Sequence, residues 1–320
     1  MVGTVLRQLG SASERMTATR GTAKPRIVDA FPAFEKFWES VRNEPLTRQL
    51  ERWEVEYMQP WPELLEKLKE NYTTEGVDWR RVARKQVFPH FGSHLDRMRE
   101  LHHDLLETLP TSWARARRVL ELRFPVAFVI YVGIGCGAGW ATTYEGRPAC
   151  LFGLENAAEN HGGGDGWSRR IVAHEMAHLA HQVWRGDRGE QSSDPWWTLY
   201  EEGFATYCER KLEPRLFALR TGKGDWLPWC EERRPWLARK FLRDVRERRS
   251  LRPFFGSWYD VGGYIETGYY LGLEMIGDWA HDLPLRALAT LPRTELRRRA
   301  RATLRRFAES GAPPQDRTTS

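Results

Sequence analysis

The chain has 320 residues, 41% of them apolar, and a formal net charge of +6. This is enough apolar material for one or two ordinary domains, and no apolar run reaches the roughly 18 to 20 residues that a membrane span requires. Four cysteines, Cys136, Cys150, Cys208 and Cys230, are scattered without a C-x-x-C pair, which speaks against a zinc ribbon or a redox motif and fits free thiols in a reducing cytoplasm.

Residues 1–29 open with a basic stretch poor in acids and rich in Ser and Thr. It lacks the sustained apolar segment of a secretory signal, so it reads as a disordered tail, with a transit peptide as the alternative and Met16 as a second candidate start. Residues 30–118 read as a helical region. The segments DAFPAFEKFWESV, TRQLERWEVEYM, PELLEKLKENY and SHLDRMRELHHDLLETLP carry apolar residues three and four apart, punctuated by Pro, Gly and Asn. Met98, Leu101, Leu105 and Leu109 form one stripe in the last segment, so His102 and His103 are expected at the surface.

The pattern changes near residue 119. PVAFVIYVGIG is a β-branched and aromatic run closed by glycines; GWATTY and PACLFGL follow, joined through EGRP. Together they predict a small sheet with at least one hairpin. A glycine-rich segment, ENAAENHGGGDGW, precedes a helix expected to be capped by Asp165 or Ser168. Helices, then strands, then helices again define an α+β class rather than alternating βαβ units. Residues 119–290 form the expected main domain, 291–310 a basic C-terminal helix and 311–320 a disordered tail. In RTELRRRARATLRRF the stripe Leu296, Ala300, Leu304 and Phe307 docks the helix and leaves its arginines on the other faces.

The stretch IVAHEMAHLAH, residues 171–181, concentrates the chemistry. His174 and His178, four apart on a helix, lie about 40° apart around the axis and about 6 Å along it. Two imidazoles so placed can converge on one zinc ion, with Glu175 beside them as a general base. Buried histidines that merely satisfy neighbours are the competing interpretation. Catalytic zinc needs a third protein ligand and an open position. Glu202 in DPWWTLYEEGFATYCERKL supplies a candidate, on a second helix started by Asp194 and Pro195. His181, two turns from His174 and so roughly 10 Å along the axis, cannot comfortably share the same ion; a contact beside the site or a partly exposed position are its alternatives.

HEMAH and EEGFATY resemble the corresponding segments of the gluzincin zinc metallopeptidases, the group that includes thermolysin and the zinc aminopeptidases. The resemblance covers roughly residues 125–281. It implies a zincin-like catalytic domain with a small mixed sheet and an active-site helix, preceded by the helical region. It also implies Zn2+ held by His174, His178 and Glu202, a peptide or protein substrate, and hydrolysis with Glu175 as the base. GYYLG is similar to segments that carry a catalytic tyrosine in this group and so points to Tyr269, with Tyr264 on the same expected helix facing elsewhere. GLEN is similar to an amine-binding segment of aminopeptidases, which would give Glu155 a role with a free N-terminus, and the strand ACLFGLEN is placed as the exposed edge along which substrate pairs.

The chain departs from the pattern at two points. Metzincins would need Gly at 181 and His at 184, where His181 and Trp184 stand, and the thermolysin-type acid four after the third ligand is replaced by Thr206. The partner that orients His174 therefore has no assignment from sequence. Two other functions compete with a cytoplasmic peptidase that has no membrane partner. One is a zinc-binding protein on a zincin scaffold that cleaves nothing. The other, less favoured, is a nucleic-acid-associated factor that uses the arginine-rich C-terminal helix.

Overall fold

The computed structural model describes residues 24–73, 76–160, 166–186, 194–217, 224–256 and 260–310. The class is α+β, mostly helical, with one four-stranded mixed sheet. Strands β1 (Arg26–Asp29), β2 (Ala127–Tyr131), β3 (Trp140–Tyr144) and β4 (Arg147–Gly153) lie in the order β1-β2-β4-β3. β2 pairs parallel with both β1 and β4, and β3 pairs antiparallel with β4.

The hairpin that the sequence predicts is β3–β4. Its two connecting residues, Glu145 and Gly146, have φ of 47° and 70°, as the tight turns matching strand twist require. β2 is buried along its whole length, which explains its unbroken apolar sequence: both faces of a central strand are covered.

Two expectations from sequence change here. Residues 26–29, assigned to the tail, form β1 and hydrogen-bond to β2; a four-residue edge strand is too short to show a period. ACLFGLEN is not the exposed edge. β4 lies between β2 and β3, and the free edge beside the main helices belongs to β3. The rest of the proposed tail, residues 1–23, and the C-terminal tail 311–320 lie outside the described residues.

Helices α1 (Phe31–Val41), α2 (Leu46–Arg52), α3 (Pro62–Thr73), α4 (Trp79–Val82) and α5 (Phe91–Val119) fill the connection between β1 and β2. The helical region is thus inserted into the sheet, and a single apolar core runs from Phe31 through Phe128 to Phe307. α5 continues past Pro110, where the sequence suggests an end. Proline removes one backbone hydrogen bond, but Trp113 and Ala116 extend the buried stripe for two further turns. His103 is exposed, whereas His102 is half-buried: its Nε2 lies 2.9 Å from Asp29 Oδ2 and its ring packs on Phe31.

The remaining helices are α6 (Leu154–Asn160), α7 (Trp167–Arg185), α8 (Pro195–Leu212), α9 (Trp226–Arg246), α10 (Arg252–Phe255), α11 (Thr267–Trp279), α12 (Leu285–Ala289) and α13 (Arg293–Glu309). Gly166 rather than Ser168 caps α7, and Asp165 lies outside the described residues. α8 begins as its sequence suggests, with the Asp194 carboxylate accepting from the Trp196 N–H at 3.2 Å and Pro195 in the first turn. α13 buries Leu296, Ala300, Leu304 and Phe307. No helix among the described residues is long and apolar enough to cross a membrane, and all four cysteines are free thiols.

Candidate metal centre

α7 and α8 pack side by side, and α11 packs on α8. The α8–α11 approach is backbone against backbone. A Cβ placed on Gly203 would lie 2.4 Å from the Gly272 carbonyl carbon, and one on Gly272 would lie 2.4 Å from the Leu199 oxygen. Glycine at both positions draws α11 onto the face of α8 next to Glu202.

His174, His178 and Glu202 meet in the space between α7 and α8. His174 Nε2 lies 3.1 Å from His178 Nε2 and 3.3 Å from Glu202 Oε2, and His178 Nε2 lies 3.4 Å from the same oxygen. Among the described residues these three form the one His/Cys/Asp/Glu group whose ligand atoms converge. A tetrahedral ion with bonds of about 2.0–2.1 Å holds its ligands about 3.3 Å apart, so the separations match a zinc-sized cation.

The sequence left His174 without a partner, and Glu209 fills that role. Its Oε2 lies 3.2 Å from His174 Nδ1, and its side chain is 1% exposed. An ionised carboxylate is acceptor-only, so Nδ1 carries the proton and Nε2 presents its lone pair to Glu202 and His178. Three electron-rich atoms then face one point, and that arrangement is stable when a positive charge sits there. Glu209 falls seven residues after Glu202, on the same face of α8 two turns on. The signal was an acid in an otherwise buried heptad position, but the expected spacing of four led to Thr206, whose hydroxyl instead donates to the Glu202 backbone oxygen at 2.7 Å.

Burial opposes ionisation of Glu202, but attraction and hydrogen bonds from His178 and His174 outweigh it and hold its carboxyl well below the usual range. On His178, burial lowers the pKa and Glu202 raises it, with a net upward shift.

Glu175 is buried beside this cluster, against the backbone that leads into β3: a Cβ on Gly139 would lie 2.9 Å from its Oε1. Along the β3 edge, the Ala141 oxygen accepts from Gln182 Nε2 of α7 at 3.3 Å. Tyr269, in the first turn of α11, is half-buried with its ring centroid 5.8 Å from that of His174.

Three other residues singled out from sequence lie away from this cluster. Tyr264 precedes α11 rather than riding on it; it stacks on Trp229 and donates to Asp225. The Glu155 carboxylate accepts the backbone N–H groups of Gly133 at 2.8 Å and Gly135 at 3.0 Å, so it clasps the loop after β2. Burial raises its pKa, against those two hydrogen bonds. His181 is fully buried rather than partly exposed. Its Nε2 lies 3.0 Å from the Tyr200 hydroxyl, which itself donates to the Leu288 oxygen, so the imidazole is the donor. Glu201, next to Glu202, accepts from Trp197 Nε1 at 3.0 Å.

Comparison of the chain with family models, curated proteins and solved structures finds no match.

Proposed function

We propose that the protein is a zinc-dependent peptidase with a gluzincin-like site, acting on a peptide or protein substrate. The observation that carries this reading is the set of three separations of 3.1 to 3.4 Å among His174, His178 and Glu202, with His174 held in the ligating tautomer by Glu209. His174, His178 and Glu202 would hold Zn2+, which supplies Lewis acidity toward a water and a scissile carbonyl when bound.

The protein's own groups do the remaining work. Glu175, set beside the ligands but not among them, takes a proton from the attacking water and delivers it to the leaving amine. Tyr269, whose ring lies against that of His174, would donate its hydroxyl to the developing oxyanion. The side chains of His178 and Glu202 are 12% and 22% exposed, so the cluster keeps a solvent-accessible side through which substrate enters. An intact Glu175 favours catalysis over a zinc-binding scaffold, because a scaffold needs the ligands and not the base.

The test combines metal analysis with cleavage of a peptide library carrying free or blocked N-termini. Wild type binds one zinc and cleaves; Glu202→Ala loses the metal; Glu175→Gln keeps it and loses cleavage. Zinc retained in full by Glu202→Ala refutes the third ligand, and activity retained by Glu175→Gln refutes the base.

A further inference from the structure

Seven arginines outside the candidate metal centre gather along one track. Arg239, Arg243 and Arg246 of α9 and Arg301 and Arg305 of α13 line opposite walls of a groove of about 560 Å³. Its floor is apolar, made by Trp196, Leu242 and Val245, and Arg301 lies over the Trp196 ring at 5.4 Å. A second depression of about 410 Å³ shares Val245 with the first and carries Arg248 and Arg249 on its rim.

That second depression leads toward the metal centre. Pro195 and Thr198 form one wall, and they share with Glu202 a single stripe of α8, so the wall reaches the third ligand one turn, about 6 Å, further on. Phe255 lines the same depression and touches Tyr269, with ring centroids 5.9 Å apart; Tyr269 in turn touches His174.

Two acids offset part of the track. Buried Asp244 pairs with Lys240 at 2.7 Å and lies 3.8 Å from Arg243 and Arg249, and Glu247 pairs with Arg249 at 2.7 Å and Arg246 at 3.3 Å. The other four track arginines, Arg239, Arg248, Arg301 and Arg305, have no carboxylate within ion-pairing distance among the described residues. An arginine run on one helix is ordinarily a solvated face. Here two helices direct arginines at one groove, where like charges reinforce the local field and favour an anionic occupant.

We propose that this track selects the substrate: an acidic polypeptide segment lies along the arginines while the adjoining peptide bond sits at His174, His178 and Glu202. The proposal rests on the peptidase reading of that site. The helical rise from Arg239 to Arg246, the last residue of α9, is about 10 Å, which an extended chain covers with about three residues, and Arg248 and Arg249 extend the track beyond the helix end. The apolar floor takes the aliphatic parts of the side chains, and the arginine rims take the carboxylates. Trp196 in the groove floor is 4% exposed, so its ring offers almost no face for stacking bases, which disfavours single-stranded nucleic acid as the occupant of that groove.

Two measurements test this. Fluorescence anisotropy of labelled penta-glutamate, penta-glutamine and a ten-nucleotide oligothymidylate is followed on zinc-loaded Glu175→Gln protein, with and without R301E/R305E. Cleavage of two quenched peptides with a common centre, one flanked by five Glu and the other by five Gln, is followed on wild type, R301E/R305E and R243E/R246E. The penta-glutamate peptide is expected to bind at least tenfold more tightly than penta-glutamine. Each double charge reversal is expected to lower the acidic-to-neutral ratio of kcat/KM about tenfold, two rim contacts being worth about 1.4 kcal/mol together. The ratio cancels a general loss of folded enzyme, and the second variant covers misfolding of the first. Equal binding of the two peptides, an unchanged ratio in both variants, or oligothymidylate binding more tightly than penta-glutamate overturns the proposal. Cleavage without acidic preference would leave the peptidase reading standing and remove the track. Acidic binding lost on charge reversal, with no peptide cleaved, would remove the peptidase reading and leave the track as a docking surface for acidic peptides.

Discussion

Replacing Gly203 with alanine tests the backbone contact that carries α11 onto the candidate metal centre. The added Cβ would sit 2.4 to 2.5 Å from the carbonyl carbon, Cα and oxygen of Gly272. Ordinary carbon contacts begin at about 3.5 Å, so α8 and α11 must part by about 1 Å. Backbone cannot swing aside as a flexible side chain does, so the cost falls at the upper end of the overpacking range, about 3 kcal/mol. Alanine returns about 1 kcal/mol of helix propensity, leaving a net loss of about 2 kcal/mol. With an unfolding entropy of about 2 cal/mol/K per residue, this lowers Tm by about 3 °C for a chain of this size. Gly277→Ala on α11 is the control. Its Cβ would meet nothing nearer than 3.9 Å, so the propensity gain stands alone and Tm rises by about 1 °C. Scanning calorimetry of the two variants decides the matter. A Gly203→Ala protein that melts at or above the temperature of Gly277→Ala would refute the contact and the route by which Tyr269 is brought to His174.

Two further predictions concern single side chains. Glu209→Ala frees the His174 imidazole to rotate and should weaken zinc binding about 10- to 100-fold in a chelator competition, with Glu209→Gln milder because its oxygen still accepts from Nδ1–H; an affinity within twofold of wild type for Glu209→Ala would count against the orienting role. His181 governs a pH dependence. Burial, reinforced by the nearby His178 and Arg185, pushes its pKa well below the ordinary value, and Nδ1 is buried without a hydrogen-bond partner among the described residues. Between the folded pKa and about 6.5 the unfolded chain binds more protons, so this contribution is full above about pH 6.5 and is lost as pH falls. At pH 5.5 the loss is about 1.4 kcal/mol. His181→Gln keeps a donor for Tyr200 and does not titrate, so urea unfolding from pH 7.5 to 5.5 should show a shallower fall for the variant; parallel curves would contradict this account.

The convergence of His174, His178 and Glu202 was legible because its geometry is local. Four residues on a helix always bring two side chains to one face, so His174 and His178 could be paired from spacing alone, with Glu175 beside them. The docked stripe of α13 and the Asp194–Pro195 start of α8 were readable for the same reason. Glu202 needed one further step, a second helix able to turn back, which the amphipathic spacing after Asp194 supplied. His102 and His181 were misjudged because exposure depends on what packs over a helix face, and neither Asp29 nor Tyr200 can be assigned as a partner from a neighbouring sequence position.

The sequence by itself determined the helices, the hairpin and the donor types, since periodicity, turn chemistry and side-chain chemistry act over a few residues. The tertiary structure alone decided which strand forms the free edge, that β1 closes the sheet ahead of α1, that Glu209 rather than a residue four after Glu202 orients His174, and that two glycines 69 positions apart touch. It also decided that arginines from α9 and α13 share a groove running toward Tyr269. Each of these depends on how distant segments pack, and chain spacing carries no record of it.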